Sequence, residues 1–445
     1  MITLVSEVAV EKKYVIFLEA LRAHGFEGEI TSDYANRIVL ATDNSIYQRL
    51  PKAAVYPKHA EDLERLARLA AQASHRSIVV TPRGGGTGTN GQSLTDGIVV
   101  DVSRHMNWVL EIDVENRRVR VQSGVVKDQL NAALKPHGLF FAPDLSTSNR
   151  ATIGGMISTD ASGQGSCEYG KTRDHVLKLD TILLGGGHLH SRALTQDEEQ
   201  AELQHEGILG RVHTTAAEII DQQRDLIEEK FPPLNRCLTG YDLAHLRNDQ
   251  GQLNLNSLLC GSEGSLGFLN EAVLNVMPIP KHSTLVNVRY ASFMDALRDA
   301  KALMASAAFP TSIETVDDNV LQLAMEDFVW DSVAEFFPAT SPAPIRGINL
   351  IEFNDDDENA LTERVRSFTD HLSQDTTVER LGFTLAEGRG QIQNVYGMRK
   401  RSVGLLGNAQ GEKRPIPFVE DTAVPPEHLA DFIAESFALF WMLAI

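Results

Sequence analysis

Cysteine is scarce in this chain: its 445 residues hold three, Cys167, Cys237 and Cys260. They stand far apart with no C-x-x-C pair, so neither a disulfide framework nor a zinc or iron–sulfur site is expected within these residues. Three buried or inert thiols in a reducing compartment are expected instead. Long apolar runs are missing too. No stretch reaches the about 18 apolar residues that a membrane-spanning helix needs. The N-terminus, MITLVSEVAVEKKYVIFLEAL, carries acids early and has no basic region followed by an apolar core. It does not read as a secretion signal, and a cytoplasmic protein is expected. Basic charge is short as well, with 41 Lys plus Arg against 60 Asp plus Glu and a net charge of −19. That balance argues against general nucleic-acid or anionic-membrane binding, which needs a basic surface. An anionic ligand has to be held by locally placed cations and backbone N–H groups.

What is present is ordinary globular composition, 42% apolar and 23% charged, with length enough for two or three domains. Apolar residues at helical spacing and a stop at Gly25 predict an amphipathic helix over 8–24. A short strand (53–57), a helix (59–75), the β-branched strand SIVVTPR (77–83), the strands GIVVDVS (97–103) and RRVRVQSG (117–124), and a helix (126–138) follow. This order is not a regular βαβα alternation. It predicts an α+β fold with a short parallel element and then antiparallel pairs. Residues 175–194 read as two strands joined by a hairpin at Gly185–Gly187. His188 and His190 share a strand face there, but two ligands alone rarely make a metal site, so they read as surface residues. Residues 253–281 read as strand, glycine turn and strand, with Pro278 and Pro280 marking a domain boundary. From 283 onward strands and helices alternate as a second α+β domain. The expected division is a helical segment 1–49, a domain 50–280 and a domain 281–445.

Residues 81–91, TPRGGGTGTNG, satisfy the G-x-G-x-x-G pattern. A dinucleotide turn of that kind must open directly into a helix. Here Gly91 leads to a turn at Asp96-Gly97 and then a strand. A Gly-Lys-Ser/Thr ending is absent, so a Walker A loop is excluded. What remains is a strand–loop–strand cradle in which successive backbone N–H groups face an anion and glycines admit a pyrophosphate without Cβ clashes. Arg83 adds a fixed positive charge just before the glycines.

TPRGGGTGTNG, then FAPDLSTSNRATIGGMISTDASGQGSCEYGKTRDHV (141–176), then LLCGSEGSLGFLNEAVL (258–274) stand in the order found in FAD-linked oxidases. The chain resembles these flavoproteins of the vanillyl-alcohol-oxidase or PCMH-type FAD domain. Within them it is most similar to the D-2-hydroxy-acid dehydrogenases, which act on D-lactate, glycolate or D-2-hydroxyglutarate, and particularly to the long bacterial form with a C-terminal iron–sulfur domain. The resemblance implies a PCMH-type FAD domain of two α+β subdomains, followed by a substrate or cap domain with an antiparallel sheet. It places the FAD pyrophosphate against Gly84, Gly85, Gly86, Thr87, Gly88, Asn90 and Gly91. Pro143, Asp144, Thr152, Gly154, Gly155, Ser162 and Gly163 would line the rest of the channel, completed by Tyr169, Gly170, Glu263 and Gly264. Some family members attach FAD through a histidine in the glycine loop. This loop has none, so FAD is expected to be non-covalent, with His105 and His137 as surface or supporting residues.

On the substrate side, NVYGMRKRSVGLLG (394–407) resembles the family segment that carries the substrate-binding arginine, and Arg399 matches that position. A guanidinium fork suits a carboxylate. Lys413 and Arg414 are possible second partners, and Asp421 would orient a strand end or a cation. The family's G-H-x-x-x-G-x-x-H segment, its later catalytic histidine and the iron–sulfur module are not in these residues. The ending FALFWMLAI is apolar on every face. The expectation is therefore the front part of a longer enzyme with an incomplete cap domain, its divalent metal and iron–sulfur cluster lying outside this chain. Three functions stay open: a D-2-hydroxy-acid dehydrogenase with an unspecified electron acceptor, an FAD-holding but catalytically silent fragment, and a flavin reductase of the same fold, as in cell-wall precursor synthesis.

Overall fold

Burial alternates strictly from Phe268 to Asn275, the mark of a strand with one face on a core. In the computed structural model, which describes residues 9–234, 240–338, 343–405 and 422–443, that strand lies in the first of two compact units. The first unit takes residues 1–163 and 171–278, and the second takes residues 164–170 and 279–445.

The first unit holds two larger sheets. In chain order its main elements are α1 (Lys12–Ala23), β1 (Glu29–Thr31), β2 (Ala53–Tyr56), α2 (Ala60–Ala70), β3 (Val80–Arg83), β4 (Ile98–Asp101), β5 (Val109–Asp113), β6 (Arg118–Gln122), α3 (Lys127–Leu134), α4 (Ile153–Ser158), β7 (Val176–Ile182), β8 (His188–Ser191) and β9 (Phe268–Asn275). One sheet runs β1-β2-β4-β3, with β2, β4 and β3 parallel and β1 antiparallel. The other is antiparallel in the order β5-β6-β9-β7-β8. This is the short parallel element followed by antiparallel pairs that the residue pattern predicts, and Gly185 and Gly186 form the hairpin turn at positive φ.

Leu63, Leu66, Ala67 and Ala70 of α2 recur at helical spacing and bury against Ile98 and Val100. Phe17 and Leu21 of α1 join the same core, so the N-terminal helix packs as part of the first unit. The predicted strand over 253–259 is not one. Residues Asn256–Leu259 form a single helical turn, flanked by isolated bridges at Leu253 and Asn254. The Asn254 side chain accepts from the Asn256 N–H at 3.1 Å, and Ser257 donates to the Asn254 carbonyl. Such local side-chain bonds compete with a strand ladder.

The second unit carries β10 (His282–Tyr290), α5 (Phe293–Met304), β11 (Ser312–Asp317), α6 (Asp318–Met325), β12 (Gly347–Asp355), α7 (Glu358–Gln374), β13 (Arg380–Glu387) and α8 (Gly388–Leu405). Its antiparallel sheet has the order β11-β12-β10-β13. Val286, Val288, Ile351 and Phe353 face α7. Leu285, Ile348 and Leu350 face Ile392, Val395 and Tyr396 of α8.

Candidate active site: a backbone cradle and a side-chain network

Strand β3 ends at Arg83, and the glycine loop leaves it at once. A Cβ on Gly85 would stand 2.1 Å from the Arg150 carbonyl oxygen, and one on Gly84 2.1 Å from Thr152 Oγ1. The loop therefore lies directly on the segment that opens α4. Thr152 caps that helix, accepting from the Gly155 N–H at 3.2 Å. Gly154 donates to the Ser123 carbonyl at 2.7 Å. Gly264, at φ +75° with Pro82 Cγ 2.4 Å from a Cβ, closes on the foot of the same loop. Gln92 Nε2 reaches Glu263 Oε1 at 3.2 Å. The Glu263 N–H donates to the Ser158 carbonyl at 2.8 Å. Gly163 sits against the Asp144 carbonyl. The first unit thus brings together the glycine loop, 144–155 and 263–264, segments up to about 180 residues apart in the sequence.

Among the described residues, no backbone N–H from Gly84 to Thr89 donates to a protein acceptor. A row of open amides, half-buried except at the exposed Gly85, beside close-packed glycine backbone fits a pyrophosphate. Arg83 itself has a different local task. Its Nη2 donates to the Thr42 carbonyl at 2.8 Å and its Nη1 to Leu40 O and Ser93 Oγ at 3.4 Å. Burial lowers its pKa from the ordinary value. The guanidinium straps residues 40–42 to the loop. Asp144 takes Lys127 Nζ at 2.8 Å and Ser148 Oγ at 3.0 Å, while Pro143 is buried and Ser162 half-buried. A buried pair that sequence reasoning missed, Lys171 and Asp160 at 2.9 Å, holds the other end of this segment.

Tyr169 and Gly170 fall in the 164–170 segment that groups with the second unit. There the Tyr169 hydroxyl accepts from Asn354 Nδ2 at 3.2 Å. Burial, reinforced by the Glu352 carboxylate, pushes its pKa up to about 12. Asn354 also donates to Glu352 Oε1 at 3.0 Å, and the Tyr396 hydroxyl donates to Oε2 at 2.9 Å. Tyr396 is held neutral well above its ordinary pKa, first by burial and then by Glu352. One turn further along α8, Arg399 Nη2 pairs with Glu314 Oε2 at 2.6 Å. Register explains the grouping: Ser312 lies opposite Glu352, and Glu314 opposite Leu350, so both carboxylates face α8.

The basic run 399–401 is not one uniform solvated patch. Arg401 turns to Asp327 at 2.7 Å and stacks on Phe328, whereas Arg399 pairs with Glu314 on the sheet face that also carries Glu352. Glu314, Glu352, Asn354 and Tyr396 carried no sequence signal beyond strand alternation and the i, i+3 spacing of Tyr396 and Arg399. Lys413, Arg414 and Asp421 lie outside the described residues, as does Cys237. Of the other thiols Cys260 is buried, with its pKa raised chiefly by burial. Cys167 is exposed, on a single turn bracketed by Gly165 and Gly170 at positive φ.

The described residues thus offer an anion cradle of open amides on an α+β unit, and a unit with an antiparallel sheet follows it in the chain. The FAD binding domain family matches residues 51–192, and the C-terminal domain of FAD linked oxidases matches residues 279–441. The chain belongs to the FAD-linked oxidase family and binds FAD. It is 65% identical over 439 residues to the D-2-hydroxyglutarate dehydrogenase of Pseudomonas putida, covering 99% of this chain and 43% of that protein. It is 50% identical to the Escherichia coli enzyme of that name, covering 95% and 42%. The chain thus spans about two fifths of the length of these relatives. The glycolate oxidase subunit GlcD of Bacillus subtilis is 26% identical, covering 90% of this chain and 70% of that one. Among solved structures, alkyldihydroxyacetonephosphate synthase shares the fold with a TM-score of 0.63 at 21% identity, covering 90% of this chain and 66% of that chain. Among the described residues no helix is long and apolar enough to cross a membrane.

Proposed function

We propose that this chain carries the FAD-binding and substrate-binding parts of a dehydrogenase that oxidises a D-2-hydroxy acid, of the D-2-hydroxyglutarate type, to the 2-oxo acid. The observation that carries this reading is Arg399, set apart in a basic run by its pair with Glu314, one turn along the helix from Tyr396 and its bond to Glu352. Its fork has five N–H donors, and the Glu314 contact engages Nη2, so the guanidinium can still meet a substrate carboxylate. Glu314 orients it, and the N–H donors left over by that pair are the ones a substrate carboxylate would meet. Tyr169 and Tyr396 stay protonated through the neutral range and supply hydroxyl groups without added charge. Bound FAD would supply the hydride acceptor. The amides of Gly84 to Thr89 would hold its pyrophosphate, with residues 143–163 and 263–264 lining the remaining length. Attachment is non-covalent in this reading, since the loop contains no histidine.

Anaerobic mixing of the flavin-loaded protein with D-2-hydroxyglutarate tests the proposal. The D-enantiomer should bleach the visible flavin absorbance, and the L-enantiomer should not. Full flavin content with no bleaching by D-2-hydroxyglutarate, D-lactate or glycolate would establish the silent-fragment alternative. Bleaching by NADPH alone would favour a reductase. Acid precipitation should leave the flavin in the supernatant, and a yellow pellet would contradict non-covalent binding.

A further inference from the structure

The β7–β8 hairpin carries a cluster that FAD binding does not use. His188 and His190 stand two apart on β8 and share a face, and register places Asp180 opposite His190 on β7. Asp180 Oδ1 lies 2.8 Å from His188 Nδ1 and 3.3 Å from His190 Nδ1. One ligand atom from each residue falls within 4.8 Å of the others. Sequence spacing offered two ligands. Folding adds the third from the neighbouring strand.

We propose that Asp180, His188 and His190 bind a divalent transition-metal ion of the zinc class. Metal–ligand distances of about 2.0–2.2 Å put neighbouring tetrahedral ligands a little over 3 Å apart, so the observed spacing needs only small side-chain shifts. Two imidazoles and one carboxylate suit a borderline cation and leave a fourth position for water.

The surroundings supply a second observation. Metal-bound histidines characteristically donate their other ring N–H to a carboxylate, and bound carboxylates are themselves hydrogen-bonded. Both supports are in place. His188 Nε2 lies 3.0 Å from Glu64 Oε1, and Glu64 is held in turn by Arg68 at 2.6 Å. Asn270 donates to Asp180 Oδ2 at 2.6 Å, leaving Oδ1 toward the imidazoles. Glu64 and Arg68 belong to α2, and the hairpin already docks there through the Gly185 N–H to the Ala67 carbonyl at 3.1 Å. A bound ion would tie β7 to β8 and fix His188 in its contact with Glu64 of the helix that covers the parallel sheet. The site is therefore assigned a stabilising role within the first unit.

A competing account makes His188 a simple ion-pair clamp between Glu64 and Asp180, in which His190 has no part. The test is isothermal titration of untagged, chelator-treated full chain with Zn2+, with Co2+ as a spectroscopic probe, in wild type and in His190→Ala and Glu64→Gln. The His190 side chain is 74% exposed, so its loss leaves the fold intact. One equivalent of Zn2+ should bind the wild type and raise its melting temperature. His190→Ala should bind at least about tenfold more weakly and lose that rise, and Glu64→Gln should weaken binding by a smaller factor. Co2+ should give the intense visible bands of a tetrahedral site in wild type and not in His190→Ala. Equal Zn2+ affinity and thermal shift in wild type and His190→Ala, or no stoichiometric binding, would overturn the assignment.

Discussion

In the proposed reading each of the two units holds an anion, and they do so with different materials. In the first, the cradle is main chain: open amides from Gly84 to Thr89, packed so tightly on Arg150 and Thr152 that no side chain fits at Gly84 or Gly85. In the second, the proposed anion partner is one guanidinium, fixed by Glu314, on the same helix as Tyr396. A main-chain site forces glycine into fixed places and so writes itself into the sequence. A side-chain site asks for common residue types at positions that only strand register brings together.

The comparison can be broken first at Gly264. Gly264→Ala puts a Cβ on a left-handed residue and against Pro82, at a combined cost of about 2–4 kcal/mol. The first unit's melting temperature and flavin content should both drop sharply, and an unchanged melting curve would show that the loop relaxes freely. Next in size, Arg399→Met should raise KM for a D-2-hydroxy acid by about 10–100-fold, the worth of a charge-assisted hydrogen bond, while flavin content stays at the wild-type ratio. Glu314→Gln should weaken substrate binding less, because the guanidinium remains.

A third effect is alkaline. Tyr169, Tyr290 and Tyr396 of the second unit all have pKa values raised by burial, Tyr169 to about 12. Unfolded tyrosine ionises near its ordinary value of 10.0. The unfolded state therefore binds fewer protons above that pH. The stability these groups contribute is complete below pH 10 and is lost as pH rises toward 12. Tyrosinate absorbance should appear together with unfolding, and Tyr169→Phe should flatten part of that loss. Smallest is Arg401→Ala: its pair with Asp327 lies away from the network, so KM should not change measurably.

Legibility followed the same division. The hairpin at 183–187, the strand alternation of β9 and the meeting of the glycine motifs were readable because glycine and period-2 burial mark them. The turn at Asn256 was not, since local Asn and Ser bonds overrode a strand-like apolar pattern. Arg83 was readable as a cation but not as a strap, because its partners are carbonyls more than 40 residues away. Glu314 and Glu352 were invisible, because alternation along a strand gives the face of a carboxylate but not its partner. The metal cluster fell between these cases: two histidines showed in the sequence, and the third ligand came only with the register of β7.

The central claim is that the first unit's backbone holds the cofactor and the second unit's side chains hold the substrate. FAD titration of flavin-stripped wild type, Gly85→Ala and Arg399→Met, followed by quenching of flavin fluorescence, tests it directly. Wild type and Arg399→Met should bind FAD with equal affinity, and Gly85→Ala should bind at least about a hundredfold more weakly, because its new methyl pushes the loop off the Arg150 carbonyl. Wild-type affinity in Gly85→Ala, or a comparable loss in Arg399→Met, would contradict the account.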